Sequence, residues 1–360
     1  MTHKIFIIIP KINNDGPIKG AFALANQLYK RKIDVSVLVS SGDKINSPYL
    51  NKLIDVVNLS NSKKNLFTKI IYFRKILNEK LTKFPNIKIS TISFCLEADI
   101  INAYVIKDIN NICSMRANIF EDYKYNYGIA GYLLARTHFL FLRKFKNIIA
   151  MHPEMKNQIK KFYAGKISII NNFIDEDYFS NYNLNHSFEN TKNIIFVGKL
   201  SERKNPTSVL NCFSEIILKK KNIKLDIVGD GPLRGKLQKL SEKNVLSDKV
   251  IFHGHIDNPY SLIQEADVMI LPSYSEGTSR AILEALYFGV VCVIRDMDGS
   301  KEISKNNHNI FVFSDDKNLS NSVETALNRI DEKNFYKQNF LQKQFRQECC
   351  LSKYMDLINE

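Results

Sequence analysis

KIFIIIPKINNDGPIKGAFALANQLYKRKIDVSVLVS, residues 4–40, is the stretch whose reading decides the fold. Lys4 to Pro10 is a short apolar run, and Asn13 to Gly20 reads as a loop rich in Gly, Asn and Asp. Phe22, Leu24, Ala25, Leu28 and Tyr29 then recur at helical spacing, and Asp34 to Ser40 is again rich in Val and Leu. Strand, helix, strand in that order implies a parallel sheet with helices on its faces.

Outward from this unit, the same grammar continues. Strands are expected at Leu53–Asn58, Ile87–Phe94, Ile100–Val105, Ile148–Met151 and Ile167–Ile170, with helices at Leu66–Lys83 and Tyr132–Lys146. Asn171 to Lys192 is dense in Asn, Asp, Ser and Tyr and reads as a linker. A second series follows. Strands are expected at Ile194–Val197, Lys224–Val228, Val250–Phe252, Val268–Leu271, Val290–Ile294 and Ile310–Phe313. Helices are expected at Thr207–Lys219, Pro232–Ser241, Tyr260–Ala266 and Ser279–Phe288, then at Leu319–Ile330 and Phe335–Leu357. With 360 residues and roughly 150 per domain, the chain divides into about two domains. The expected fold class is α/β: two Rossmann-like, doubly wound domains, 1–180 and 190–334, facing each other across a cleft. Residues 335–360 would form a helix packing back on the first domain. Ligands in such folds sit at the carboxyl ends of the strands.

Hydrophobic residues at 44% and charged residues at 24% exclude a disordered chain, a collagen and a disulfide miniprotein. No apolar run approaches the roughly 20 residues of a transmembrane helix. Ile5–Ile9 ends at Pro10, too short for a signal-peptide core. The six cysteines form no C-x-x-C pair, and reduced thiols in a cytosolic protein are expected. Lys plus Arg is 51 against 37 Asp plus Glu, a net +14 that attracts nucleic acid, anionic lipid or phosphorylated small molecules.

Four loops of the second series fall at strand ends. Gly198-Lys199-Leu200-Ser201-Glu202-Arg203-Lys204-Asn205-Pro206 places three cations just ahead of a helix, which suits a diphosphate or, more plainly, a solvated basic turn. Gly229-Asp230-Gly231-Pro232 is either a tight strand-to-helix turn or a point of close ligand approach. In Phe252-His253-Gly254-His255-Ile256 the two histidines lack a carboxylate or cysteine at helpful spacing, so a pocket-lining loop is favoured over a metal site. Ser273 to Ala285 carries Glu276 ahead of a helix capped by Thr278 or Ser279, with Glu284 in the second turn. Two such carboxylates can accept hydrogen bonds from sugar hydroxyls while the amides between them face phosphate oxygens. The plain alternative is a surface helix with two incidental glutamates.

The stretch Glu276-Gly277-Thr278-Ser279-Arg280-Ala281-Ile282-Leu283-Glu284 resembles the Glu-x7-Glu signature of the GT4 family of retaining glycosyltransferases, which have the GT-B fold. IIFVGKLSERKNP (194–206), LDIVGDGPL (225–233), VIFHGHIDN (250–258), ADVMILPSYSEG (266–277) and FGVVCVIRDMDGSKEI (288–303) come in that family's order. ISIINNFIDEDYF (167–179) resembles the segment closing its first domain.

The resemblance implies that Glu284 binds the nucleotide's ribose and that Glu276 holds the donor sugar, with Gly277, Thr278 and Ser279 beside it. Lys204 would meet the diphosphate. Lys199 stands where the family usually has arginine, which passes part of the diphosphate contact to Arg203. Gly229, His255 and Ile256 would complete the donor site, the last two against the base. Asp296-Met297-Asp298 belongs to a loop after a strand, so no metal or other cofactor is expected. The family's loop after the first strand commonly carries Gly-Gly, and here Lys19-Gly20 occupies that place. The family's first-domain histidine has its nearest counterpart in Ser114-Met115-Arg116-Ala117-Asn118, which makes Arg116 and Asn118 the acceptor-side candidates. His138 and His152 read as structural.

Implied partners are a nucleotide-sugar donor, UDP-linked by preference, and a saccharide acceptor on a lipid diphosphate carrier of O-antigen, capsule or a related polysaccharide. An anionic membrane surface is a third. The segment Lys63–Lys83 carries Lys63, Lys64, Lys69, Arg74, Lys75, Lys80 and Lys83 against Glu79, with Leu66, Ile70, Phe73 and Leu77 along one stripe. Tyr132–Lys146 joins Leu133, Leu134, Phe139 and Phe145 to Arg136, Arg143 and Lys144. Such helices rest on the inner face of a membrane or simply turn a basic back to water. The rival readings are a GDP-mannose-dependent mannosyltransferase, a nucleotide-sugar epimerase and a noncatalytic nucleotide-sugar-binding partner. A nucleic-acid-binding protein would account for the charge, but no recognition motif supports one.

Overall fold

The computed structural model describes residues 3–42, 46–59, 65–107, 109–180, 182, 191–244, 246, 248–333 and 335–360. The chain divides into two compact units, Met1–Ser180 with Gln344–Glu360 and Asn181–Lys343.

The first unit is built on seven parallel strands: β1 (His3–Ile9), β2 (Asp34–Val39), β3 (Asp55–Asn58), β4 (Lys88–Ser93), β5 (Asn110–Ser114), β6 (Asn147–Ala150) and β7 (Lys166–Ile169). Their order is β3-β2-β1-β4-β5-β6-β7, so the winding reverses between β1 and β4. Central β1 pairs on both sides and buries Ile5 to Ile9 completely, which is why it reads as an unbroken apolar run. The helix Gly16–Lys30 buries Phe22, Leu24, Ala25 and Leu28, as their spacing predicts. It begins inside the expected loop, because the Asp15 carbonyl already accepts from the amides of Ile18 and Lys19 and Pro17 fits the first turn. Gly20 therefore lies in the interior of this helix rather than in a loop.

One expected strand fails in this unit, and one strand goes unanticipated. Residues 100–103 are not a strand but part of the helix Leu96–Ala103, which buries Ala98, Ile101 and Ala103. The strand in question is β5, hidden from hydrophobic patterning by Asn110 and Asn111. Both asparagines are buried and bonded: Asn110 donates to the Leu357 carbonyl at 3.0 Å, and Asn111 to those of Asn102 and Lys144 at 3.3 and 3.2 Å.

The two basic helices present different faces. In Leu66–Lys83, Phe73 and Leu77 point into the core, while Phe67 and Ile71 are exposed among Arg74 and Lys75. Lys69 does not join the solvated basic back. It is buried, with Nζ 2.8 Å from Glu97 and 3.0 Å from the Ser41 hydroxyl. Lys63 and Lys64 lie outside the described residues. The Ala130–Leu142 helix buries Ala135, His138, Phe139 and Leu142. Its outer side shows Ile129 at 91%, Leu133 at 72% and Leu140 at 58% exposure, with Arg136, Arg143 and Lys144 between and beyond them. His138 is held between Asp99 (3.0 Å) and the Tyr123 hydroxyl (2.9 Å), and His152 caps the Pro153–Lys160 helix.

The second unit has six parallel strands: β8 (Lys192–Val197), β9 (Ile223–Val228), β10 (Val250–Gly254), β11 (Val268–Leu271), β12 (Val291–Arg295) and β13 (Ile310–Phe313), in the order β10-β9-β8-β11-β12-β13. Helices Pro206–Ile216, Arg234–Lys243, Tyr260–Glu265, Arg280–Tyr287 and Leu319–Ile330 lie between or after them. Ile194, Phe196, Leu225, Ile227, Val268, Ile270, Val291 and Val293 form the centre of its core.

The expected helix Phe335–Leu357 is instead two pieces. Residues 335–342 run as a strap without regular secondary structure within this unit, a 3-10 turn follows at Lys343–Phe345, and the α-helix is confined to Gln347–Asn359. Apart from the Leu341 amide, which donates to the Asn339 side chain at 3.0 Å, the strap's bonds reach outward. The Phe340 amide donates to the Leu286 carbonyl at 2.8 Å, the Asn307 side chain donates to the Phe340 carbonyl at 3.2 Å, and the Lys337 ammonium reaches the Ala266 carbonyl at 2.5 Å. The Gln347–Asn359 helix is counted with the first unit, where the Tyr354 hydroxyl meets Ser114 at 3.2 Å.

Candidate functional site

The site is assembled at the carboxyl ends of β8 to β12, starting from three glycines. Gly198, Gly229 and Gly254 stand side by side at the ends of β8, β9 and β10, the Gly198 amide bonded to Val228 at 3.0 Å and the Gly229 amide to Gly254 at 2.8 Å. Gly229 has φ +139°, and a Cβ there would sit 1.9 Å from the Gly198 carbonyl oxygen. The close approach that this glycine allows is backbone to backbone.

Beyond Gly198 the chain makes one 3-10 turn, Glu202–Lys204, and Asn205 adopts a left-handed conformation (φ 48°) before Pro206 opens the next helix. This turn delivers both cations to one carboxylate. The Lys204 ammonium bonds Glu276 Oε1, and Arg203 Nη1 lies 3.3 Å from the same oxygen. The two loops are also tied through their backbones, because the Tyr274 amide donates to the Arg203 carbonyl at 2.9 Å. Burial pushes the Glu276 carboxyl up, but the charges of Lys204 and then Arg203 outweigh it and hold the group below its usual 4.5. Lys199, by contrast, is exposed.

Glu276 leads through Gly277 and Thr278, both buried, to Ser279 at the N-cap position of the Arg280–Tyr287 helix. Ser279 makes no side-chain capping bond there, so the first-turn amides lack that partner. Glu284 falls in the second turn, buried, with its carboxylate 3.7 Å from Arg280 Nη2. It is not an incidental surface glutamate. Beneath these residues is a cavity of about 10 Å³ lined by Gly277, Thr278, Ser279 and Met297, roughly the space of one water.

The histidine loop separates into two roles. His253 Nε2 lies 2.7 Å from Asp226 on the neighbouring strand, whereas His255 is exposed beside Asp257 at 3.1 Å, with Ile256 half-buried next to it. Asp296 accepts from the Ser300 hydroxyl at 3.1 Å, a bond local to its own turn. No group of three or more His, Cys, Asp or Glu suited to a metal occurs among the described residues.

The remaining candidates belong to the first unit. A Cβ on Gly20 would meet Arg116 Nη2 at 2.8 Å, so this helical glycine makes room for the guanidinium. Arg116 also lies 4.6 Å from the Phe94 ring centre and 3.4 Å from the Asn172 side-chain carbonyl. Asn118 caps the Ile119–Tyr127 helix and accepts from Gln158 at 2.9 Å, which fully accounts for its side-chain carbonyl. The structure thus brings Gly20 and Arg116 together and gives Asn118 a different task. Within the second unit, Arg295, Asp316 and Asn205 adjoin the Glu276 loop, although no spacing in the sequence singles them out. Asn205 and Arg295 fall within the quoted stretches 198–206 and 288–303, whereas Asp316 lies in none of them.

Residues 183–340 match the family model described as glycosyl transferases group 1. Among curated proteins, the chain is 30% identical over 184 residues, 50% of each chain, to the Campylobacter jejuni GalNAc-alpha-(1->4)-GalNAc-alpha-(1->3)-diNAcBac-PP-undecaprenol alpha-1,4-N-acetyl-D-galactosaminyltransferase. It is also 30% identical over 181 residues, 46% of each chain, to the Escherichia coli UDP-Gal:alpha-D-GlcNAc-diphosphoundecaprenol alpha-1,3-galactosyltransferase. The matched part spans about half the length of these curated relatives. Among solved structures, Anabaena HepE in complex with UDP and glucose superposes with a TM-score of 0.77 at 15% identity, covering 99% of each chain. Staphylococcus aureus TarM superposes with a TM-score of 0.76 at 13% identity, covering 99% of this chain and all of that one. At such identities the likeness establishes the fold, the two-domain α/β architecture called GT-B. The stretch similar to this family model, residues 183–340, covers somewhat less than half of the chain.

Proposed function

We propose that the protein is a retaining glycosyltransferase of the GT4 type, moving a sugar from a UDP-linked donor to a saccharide hydroxyl on a lipid diphosphate carrier. The observation that carries this reading is the convergence of Lys204 and Arg203 on the largely enclosed Glu276, its side chain 12% exposed, next to a helix whose N-cap side chain makes no capping bond. Lys204, with Arg203 and exposed Lys199, neutralises the diphosphate, and the first-turn amides of the Arg280–Tyr287 helix add donors. Glu276 accepts from the sugar's hydroxyls and Glu284 from those of the ribose. In the transfer, the acceptor oxygen bonds the anomeric carbon as the carbon–oxygen bond to the diphosphate breaks, and the acceptor proton passes to a donor phosphate oxygen. No metal is assigned. The two curated relatives, whose names specify undecaprenol-diphosphate-linked sugars and, in one case, UDP-Gal, support the choice of donor and acceptor class.

A thermal-shift screen of nucleotide sugars with UDP and GDP as controls tests the donor site, since a ligand bound only by the native state raises the melting temperature. One UDP-sugar is expected to stabilise the wild type, and Glu284→Ala is expected to bind it about 10- to 100-fold more weakly. That corresponds to the ~1.5–3 kcal/mol of hydrogen bonds to a charged acceptor. Unchanged affinity in that variant dismisses the ribose role. Stabilisation by GDP-mannose alone favours a mannosyltransferase, and no binding at all removes the reading.

The acceptor's carrier places the first unit against an anionic membrane. Ile129, Leu133 and Leu140, outward on one helix and flanked by Arg136, Arg143 and Lys144, supply the contact, each cation adding on the order of 1 kcal/mol near such a surface. The chain is expected to float with anionic liposomes and not with neutral ones, and Leu133→Glu is expected to stay in the pellet fraction. Equal behaviour with both liposome types counts against the membrane role.

A further inference from the structure

Two segments carry the pair at the centre of the site: the turn 201–205 brings Lys204, and the loop 272–279 brings Glu276. They touch directly through that pair on one side. On the other side they are joined by residues that neither the Glu-x7-Glu stretch nor the basic turn contains.

Arg295, the last residue of β12, is buried. Its Nε donates to the Pro272 carbonyl at 3.0 Å, where the Glu276 loop begins. Its guanidinium carbon lies 4.6 Å from the ring centre of Tyr274 and 4.9 Å from that of Phe313, so the group is sandwiched between a residue of the loop and the end of β13. Nη2 bonds the Asp316 carboxylate. The other oxygen of Asp316 lies 3.3 Å from the side-chain nitrogen of Asn205, the left-handed residue directly after Lys204. A closed ring results: Lys204, Asn205, Asp316, Arg295, Pro272 and Tyr274, Glu276, and back to Lys204.

We infer that Arg295 and Asp316 are positioning residues that hold Lys204 and Glu276 in register for a nucleotide diphosphate; the inference rests on the donor-site reading above. The fork of Arg295 is used on two edges at once while its face packs on rings, a combination a lysine cannot reproduce. Asp316 is the shared acceptor. It has no place in substrate contact under this reading, but it fixes both the chain entering the Glu276 loop and the backbone conformation that ends the Lys204 turn. Its side chain is 44% exposed on a surface turn, so it can be truncated without opening the core.

The test compares full-length wild type, Asp316→Ala, Asp316→Asn, Lys204→Ala and the double variant Asp316→Ala/Lys204→Ala. Each is titrated calorimetrically with UDP and with uridine monophosphate, or with GDP and guanosine monophosphate if the wild type selects guanine. Asp316→Ala is expected to lose about 10-fold in diphosphate affinity, in the range of coupled neighbours, with little change for the monophosphate and a melting temperature near wild type. Asp316→Asn, which keeps one of the two acceptor oxygens for Arg295, is expected to recover part of the loss, and in the Lys204→Ala background Asp316→Ala is expected to cost nothing further. An unchanged diphosphate-to-monophosphate ratio in Asp316→Ala, or the same fold-loss with Lys204 already removed, overturns the positioning role. If Lys204→Ala weakens diphosphate binding and Asp316→Ala does not, only this inference fails. If Lys204→Ala leaves binding intact, or neither nucleotide binds the wild type, the donor-site reading fails with it.

Discussion

Glu276→Gln is expected to abolish sugar transfer while the protein remains folded. The substitution preserves shape and an acceptor oxygen but removes the charge that two cations converge on. Truncating one partner of a buried pair costs about 3–5 kcal/mol; the amide keeps a hydrogen bond to Lys204, so the loss of stability should be smaller. The loss of rate should not be small. Electrostatic groups aimed at a reacting centre are worth about 100- to 1000-fold when removed singly, and a fall of at least about 100-fold in nucleotide diphosphate release is expected. Full activity in a folded Glu276→Gln protein would dismiss the site.

The same carboxyl predicts a pH signature. Because Glu276 is held below its usual 4.5 in the folded protein, ionisation and folding favour each other. Its contribution to stability is fully present above about pH 4.5 and is lost as the pH falls through the lowered folded value. The difference in melting temperature between wild type and Glu276→Gln should therefore be constant from neutral pH to about 5 and shrink below it. A difference that instead changes between pH 6 and 8 would implicate another group.

Gly229→Ala is expected to have the largest effect on stability. A side chain there meets two independent penalties. A backbone at φ +139° is unfavourable for any residue with a Cβ, about 1–3 kcal/mol, and the new methyl would lie 1.9 Å from the Gly198 carbonyl oxygen, where overpacking costs about another 1–3 kcal/mol. Relief requires β8 and β9 to part at the ends that position Lys199 and the Lys204 turn. The variant should unfold at visibly lower denaturant concentration and bind nucleotide less tightly. Gly235→Ala, whose Cβ would meet nothing within 4 Å, is the matched control. Equal denaturation midpoints for the two variants would show that the strand ends yield freely.

How much of this was legible beforehand depends on what kind of information each feature carries. β1, β11 and the helix Leu319–Ile330 are read from the sequence because each buries one continuous run or one stripe, and the apolar pattern records that burial locally. β5 escapes the pattern because it opens on buried asparagines whose partners, Asn102, Lys144 and Leu357, are scattered from 9 to 247 residues away. The strap 335–342 was read as helix for the same reason: its hydrogen bonds go to Leu286, Asn307 and Ala266, and nothing local marks them.

The site divides along the same line. Sequence by itself determined the alternation of strands and helices, the glycines at the strand ends, the basic turn 199–204 and the spacing of Glu276 and Glu284, since all are local or fixed by one helix's geometry. Tertiary structure alone decided that Lys204 and Arg203 meet Glu276 across 72 and 73 residues of chain, that Gly229 is there for Gly198, and that Arg295 and Asp316 close the ring behind them. The physical reason is that a spacing states which way a side chain points along its own element. Which partner satisfies it, and hence its charge state, follows only when the sheet brings separate strand ends together.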